Sequence, residues 1–144
     1  MGETYANDVG DVLVAGTDGT ITVNSPDVQI RNCNHGIYST SDGGNSRINF
    51  LDGEIYDCQF GIGAYHDVNM EGGTIRDCLQ AVHLNAYYND ITCTITGGVL
   101  RDSKIGLAGF TATWEPVHKG TEHITVQDAE ICNITESGIF LQTL

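Results

Sequence analysis

An all-β solenoid, a right-handed parallel β-helix of about five coils with three short strands in each, is the fold class that this 144-residue sequence predicts. Three observations carry the prediction. The first is a stretch that the chain keeps rewriting, Asn69-Met70-Glu71-Gly72-Gly73-Thr74-Ile75-Arg76-Asp77-Cys78. Near-copies run from Asn49 to Cys58 and from Thr94 to Ser103, a worn copy runs from Thr125 to Ile134, and an earlier version ends Ile30-Arg31-Asn32-Cys33. The second is a constant distance to the next apolar segment: Ile48 to Ile62, Val68 to Val82 and Cys93 to Leu107 are each 14 residues, and Ile124 to Ile139 is 15. The third is the short apolar alternation within each segment, broken by Gly, Asn and Asp, with no helical period of useful length. A unit of this kind cannot bury its apolar face alone, so its copies stack.

Taken in order, residues 1–19 hold one apolar patch, Val9 to Ala15, which reads as an irregular N-terminal cap or half-coil. The remainder, 20–144, reads as coils of a single domain. The first strand is Thr20-Ile21-Thr22-Val23, and two extra residues separate Val23 from Ile30. Later units each supply three segments, as in Val68-x-Met70, Thr74-Ile75-Arg76 and Val82-x-Leu84. The central apolar residues Ile30, Ile55, Ile75, Leu100 and Ile131 follow one another at 25, 20, 25 and 31 residues, the length of one coil stacking on the last at about 4.8 Å. One residue on, Arg31, Tyr56, Arg76, Arg101 and Cys132 form an outward column. The chain stops at Gly138-Ile139-Phe140-Leu141, inside a strand. Uncovered coil edges invite pairing, so the expectation is either a fragment of a longer helix or a homo-oligomer assembled through exposed coil ends.

After the outward column come an Asn/Asp column at a turn (Asn32, Asp57, Asp77, Asp102, Asn133) and a Cys column (Cys33, Cys58, Cys78) beside it. On this coil motif, from about Ile21 to the end, the chain resembles the pectin-lyase-like β-helix superfamily. That superfamily includes pectate lyases, polygalacturonases, sugar epimerases, phage tailspikes and bacterial adhesins, so the resemblance implies a fold and leaves function open. It also implies an extracellular, cell-surface or virion setting. The Asn-Thr-Asp and Asp-Asp signatures sought for the lyases and polygalacturonases are absent. A carbohydrate-binding module of adhesin or tailspike type is therefore the leading expectation. A polysaccharide lyase, hydrolase or epimerase acting on acidic glycans is the alternative.

Six basic against nineteen acidic residues give a formal charge of −13. Such a surface disfavours nucleic acid and acidic membranes as partners, and leaves an acidic protein inhibitor or DNA-mimic decoy as a third class. The start, Met1-Gly2-Glu3-Thr4-Tyr5, is polar with no apolar leader behind it, and no run approaches the ~20 apolar residues of a membrane helix. Three of the five cysteines share one inward column, where side-by-side stacking suits bridging poorly, so all five read as free thiols. No Cys-x-x-Cys pair supports a metal site. The one cofactor alternative is Ca²⁺ at the Asp column, which Asx turns explain more simply.

The spare length of the repeat gathers in one set of connections: Ile37 to Ile48, Ile62 to Val68, Val82 to Cys93 and Leu107 to Ile124 span 11, 6, 11 and 17 residues. A short connection between two long ones makes a cleft, and solenoids often bind on such an edge. It is offered Tyr65, Tyr87, Tyr88, Phe110 and Trp114, with His66, His118, His123, Asp42, Asp67, Asp90 and Glu115. Rings stack on sugar faces, and carboxylates or imidazoles bind hydroxyls or move protons. In a binding module Tyr65, Tyr87, Tyr88, Trp114, Glu115 and His118 hold the glycan; in an enzyme the carboxylate pair comes from Asp67, Asp42 and Asp90, with His66 assisting. Arg76 and Arg101 form a second candidate, a hold for carboxylated or sulfated sugars, against which stands simple compensation of the neighbouring Asp column.

Overall fold

The computed structural model describes residues 10–41, 44–111 and 120–143. Fourteen strands follow in order: β1 (Leu13–Ala15), β2 (Thr20–Arg31), β3 (His35–Ser39), β4 (Arg47–Tyr56), β5 (Phe60–Ala64), β6 (Asp67–Met70), β7 (Thr74–Arg76), β8 (Gln80–Ala86), β9 (Ile91–Ile95), β10 (Val99–Arg101), β11 (Ile105–Thr111), β12 (Glu122–Val126), β13 (Glu130–Cys132) and β14 (Ser137–Thr143). Every pairing is parallel, and it joins each repeat to the next. The apolar columns stack in register: Ile21, Ile48, Val68, Cys93 and Ile124 form one file. Ile30, Ile55, Ile75, Leu100 and Ile131 form a second, and Ile37, Ile62, Val82, Leu107 and Ile139 a third.

The arrangement corrects the three-strand-per-coil right-handed β-helix. The strands make two parallel sheets, one of six strands (β1-β3-β5-β8-β11-β14) and one of eight that curls. The first two segments of every repeat belong to that second sheet. In β2 and β4 the chain passes from one segment to the next as a single continuous strand. Two files of shorter strands then leave β4: β6, β9 and β12 from its first half, and β7, β10 and β13 from its second. The bend between the halves falls at Gly53, whose φ is 121°, and the later repeats place Gly73 (φ 76°) and Gly98 (φ 86°) there. A Cβ on Gly73 would lie 2.6 Å from the Phe50 ring. Only glycine meets both the dihedral and the space.

Between the sheets lies one continuous core that includes Phe50, Ile55, Met70, Ile75, Leu84, Ile91 and Leu100, all fully buried. It is thin because a column of small residues in the six-stranded sheet, Gly36, Gly61, Ala81, Gly106 and Gly138, faces the second apolar file. A Cβ on Gly36 would stand 2.7 Å from Ile55 Cγ2, and one on Gly106 would stand 3.0 Å from Ile131 Cγ2. The turn after that file is left-handed at Asn32, Asp57, Asp77, Asp102 and Asn133, with φ from 50 to 55°. Asn and Asp tolerate this conformation better than other residues with side chains. The outer face of the six-stranded sheet carries a file of rings, His35, Phe60, His83, Phe110 and Phe140, with centroids 4.7 to 6.1 Å apart.

Candidate functional site

The edge that collects the variable connections holds two adjoining recesses. One, of about 220 Å³, is lined by Gly44, Asn45 and Ser46 from the connection after β3 with Arg47 at the start of β4, by His66 from the short connection after β5 with Asp67 at the start of β6, and by Asn89 and Asp90 from the connection after β8. The other, of about 200 Å³, lies across Arg47 and Asp67 and continues over Asn69, Thr92 and Thr94. Arg47 and Asp67 pair loosely at 3.8 Å, Arg47 largely exposed and Asp67 half-buried. The low connection flanked by longer ones thus does form a hollow, and it gathers His66, Asp67 and Asp90.

The carboxylates here each accept a backbone hydrogen bond. Asp67 Oδ1 accepts the Thr92 backbone N–H at 2.9 Å, and Asp90 Oδ1 accepts that of Thr121 at 2.8 Å. Asp18 Oδ1 does the same for Asn45 at 2.8 Å. Each holds the backbone at or just before the start of a strand in the next repeat. His66 is buried beside them. Ser46, 3% exposed, has a buried Oγ with no hydrogen-bond partner among the described residues, which is uncommon for a hydroxyl cut off from water.

The tyrosines come from the same connections. Tyr65 is ringed by Tyr38, Tyr87 and Tyr88, with centroids 6.2 to 6.4 Å away. Tyr65 and Tyr88 lie within 24° of parallel, and Tyr88 is 48% exposed. Burial pushes the Tyr65 phenol upward, with Tyr87 and Tyr88 adding to it. Burial likewise raises Tyr87, and the Glu122 carboxylate contributes. Asp42, Trp114, Glu115 and His118 lie outside the described residues.

Arg76 and Arg101 stand elsewhere, on the outward column of the curled sheet. Arg76 pairs with Glu54 and, at 2.6 Å, with Asp77, and its guanidinium sits 4.1 Å from the centre of the Tyr56 ring. Arg101 pairs with Asp102. These contacts commit both cations to carboxylates of the chain itself. Among the described residues no group of three or more His, Cys, Asp or Glu is placed to hold a metal ion, and no helix is long and apolar enough to cross a membrane.

Sequence reading missed Glu122. It stands two residues before Ile124, pairs with Ile91 and so occupies an inward column. Its carboxylate fills the space that Gly109 leaves. Burial raises its pKa, a backbone bond from Phe110 working against the rise, and its Oε1 has no partner among the described residues. The alternation Glu122-x-Ile124-x-Val126 was the available signal.

No protein-family model, curated protein or solved structure matches the chain. The resemblance to pectin-lyase-like proteins accordingly rests on the repeat motif alone, of which the structure shares the all-β, strand-rich character.

Proposed function

We propose that the protein is a carbohydrate-binding module whose site is the recessed edge built by 44–47, 65–67 and 87–90, and that its ligand is a neutral, hydroxyl-rich glycan. The observation that carries the reading is the pair of recesses. Half of the residues in their walls are amides and hydroxyls (Asn45, Ser46, Asn69, Asn89, Thr92, Thr94), and one hydroxyl, Ser46 Oγ, finds no hydrogen-bond partner among the described residues. Groups of this kind exchange hydrogen bonds with sugar hydroxyls without the desolvation cost of an unpaired charge. The neighbouring tyrosines supply flat apolar surface, of which Tyr88 offers the most to solvent.

Binding is favoured over catalysis because Asp67 and Asp90 each spend an oxygen on a backbone N–H, in the same role as Asp18. A neutral ligand is favoured over an acidic one because Arg47 in the recess stands beside the carboxylates of Asp67, at 3.8 Å, and Asp90, and because Arg76 and Arg101, on the other column, are matched by carboxylates. The test is a glycan array followed by titration of the best ligand. Tyr88→Ala should weaken binding several-fold, on the order of 1 kcal/mol, with an unchanged melting temperature. Asp67→Asn keeps the shape and removes a proton-transfer group, so lost turnover with intact binding would reinstate an enzyme. A parent protein without affinity for any glycan would sink the proposal and leave the acidic decoy standing.

A further inference from the structure

We propose that Cys58 is the centre of an oxidisable thiol file, forming a disulfide with Cys33 of the preceding repeat and, when Cys33 is absent, with Cys78 of the following one. The three thiols follow the left-handed residues Asn32, Asp57 and Asp77 in successive repeats, so the stacking sets them side by side. Cys33 Sγ and Cys58 Sγ are 3.0 Å apart, and both residues are buried, as is Cys78. The side-by-side placement that argues against bridging in the sequence is therefore close enough for it: adjacent parallel strands at about 4.8 Å lie within the Cα separation that disulfides span. The fourth position of the file is Ser103, whose Oγ accepts the Cys78 backbone N–H at 3.2 Å and donates to the Arg101 carbonyl at 3.0 Å. The file thus holds three thiols and then ends in a hydroxyl.

The middle position also sets the reactivity. Cys58 can accept an S–H from Cys33 and, when the Cys78 thiol turns from the Arg76 carbonyl 3.2 Å away, another from Cys78; such bonds lower its pKa, while they and burial raise the two outer thiols. The thiolate is the nucleophile in thiol oxidation. With a small peroxide as oxidant, the Cys58 sulfur attacks one peroxide oxygen, an S–O bond forms, the O–O bond breaks and hydroxide leaves. The Cys33 thiol then attacks the sulfenic sulfur, forming S–S and expelling the oxygen. The thiol protons and the two expelled oxygens end as water, and two electrons pass from the sulfurs to the peroxide. Cys93 is the internal control: it is buried as deeply but stands in another file, between Val68 and Ile124, with burial pushing its thiol up to about 12.

The experiment treats the reduced full chain with hydrogen peroxide, in buffer and again in urea below the unfolding midpoint so that access to the core does not limit the result. Peptide mapping by mass spectrometry then locates the bridge. The wild type should lose the mass of two hydrogens and yield a Cys33–Cys58 peptide pair; Cys33→Ser should yield Cys58–Cys78 instead, and Cys58→Ser should yield no bridge. The oxidised protein should melt higher and return to its original melting temperature on reduction. No bridge in either condition, a bridge in Cys58→Ser, or bridges that use Cys93 or Cys132 as readily would overturn the proposal.

Discussion

Ile75→Ala is the perturbation that the stacking argument constrains most tightly. Ile75 is fully buried in β7, paired with Ile55 on one side and Leu100 on the other. Its Cγ2 faces Gly61, which has no side chain to lean into a vacated space. Removing three carbons forfeits about 2.4 kcal/mol of transfer free energy at about 0.8 kcal/mol each. Poor relaxation adds a cavity term, giving about 4 kcal/mol, within the range of about 2–5 for such truncations. Domains of this length have about 7–20 kcal/mol in hand, so the variant should fold and melt several degrees lower. Ile131→Ala, in the same file but partly exposed at its end, should cost about 1 kcal/mol. Urea unfolding followed by far-ultraviolet circular dichroism measures both, and Ile75→Asp should not fold at all because it puts an unpaired charge in the core. Equal costs at positions 75 and 131, or a folded Ile75→Asp, would refute the register.

Stability should fall in acid through His83, whose ring packs between Phe60 and Phe110 and whose pKa burial lowers to about 4. The unfolded chain takes up the proton first, near pH 6.5, so stability that is full above pH 6.5 is lost as pH falls to about 4, up to about 3 kcal/mol. His83→Asn should flatten denaturation curves measured across that window. Glu122 acts in the opposite sense: its raised pKa favours the protonated acid in the folded state, a contribution lost as pH rises through that pKa. Glu122→Gln should therefore raise the melting temperature at pH 7 and leave it nearly unchanged at pH 4. On β14, Ile139 and Leu141 are 46% and 57% exposed, and light scattering should show self-association that Leu141→Lys reduces.

The three apolar files were legible because in-register stacking turns sequence spacing directly into contact: Ile55, Ile75 and Leu100 sit where the repeat puts them. The recess was legible for the same reason, since the spare residues of a stacked repeat have only the connections to occupy. Sheet membership was not legible. Alternation reports which face a side chain takes, but not whether the backbone ladder survives the bend at Gly53, and that decides between two sheets and three. The ring file His35-Phe60-His83-Phe110-Phe140 was missed because it shifts between register positions: His35 pairs with Phe60, whereas His83 pairs with Gly63. The sequence left two roles open for Asp67 and Asp90 because a residue type that caps a turn is also one that moves a proton. The structure adds the bonds that they accept from the Thr92 and Thr121 backbones.

The measurement closest to the central claim is nuclear magnetic resonance mapping of the isotope-labelled chain, titrated with the strongest ligand from a glycan array. The account predicts shift changes confined to the amides of 44–47, 65–69 and 87–94, with the Asn45, Asn69 and Asn89 side-chain amides among them, and no change along the Arg31, Arg76 and Arg101 column. Changes centred on that column, or none at any concentration of any glycan, would contradict it.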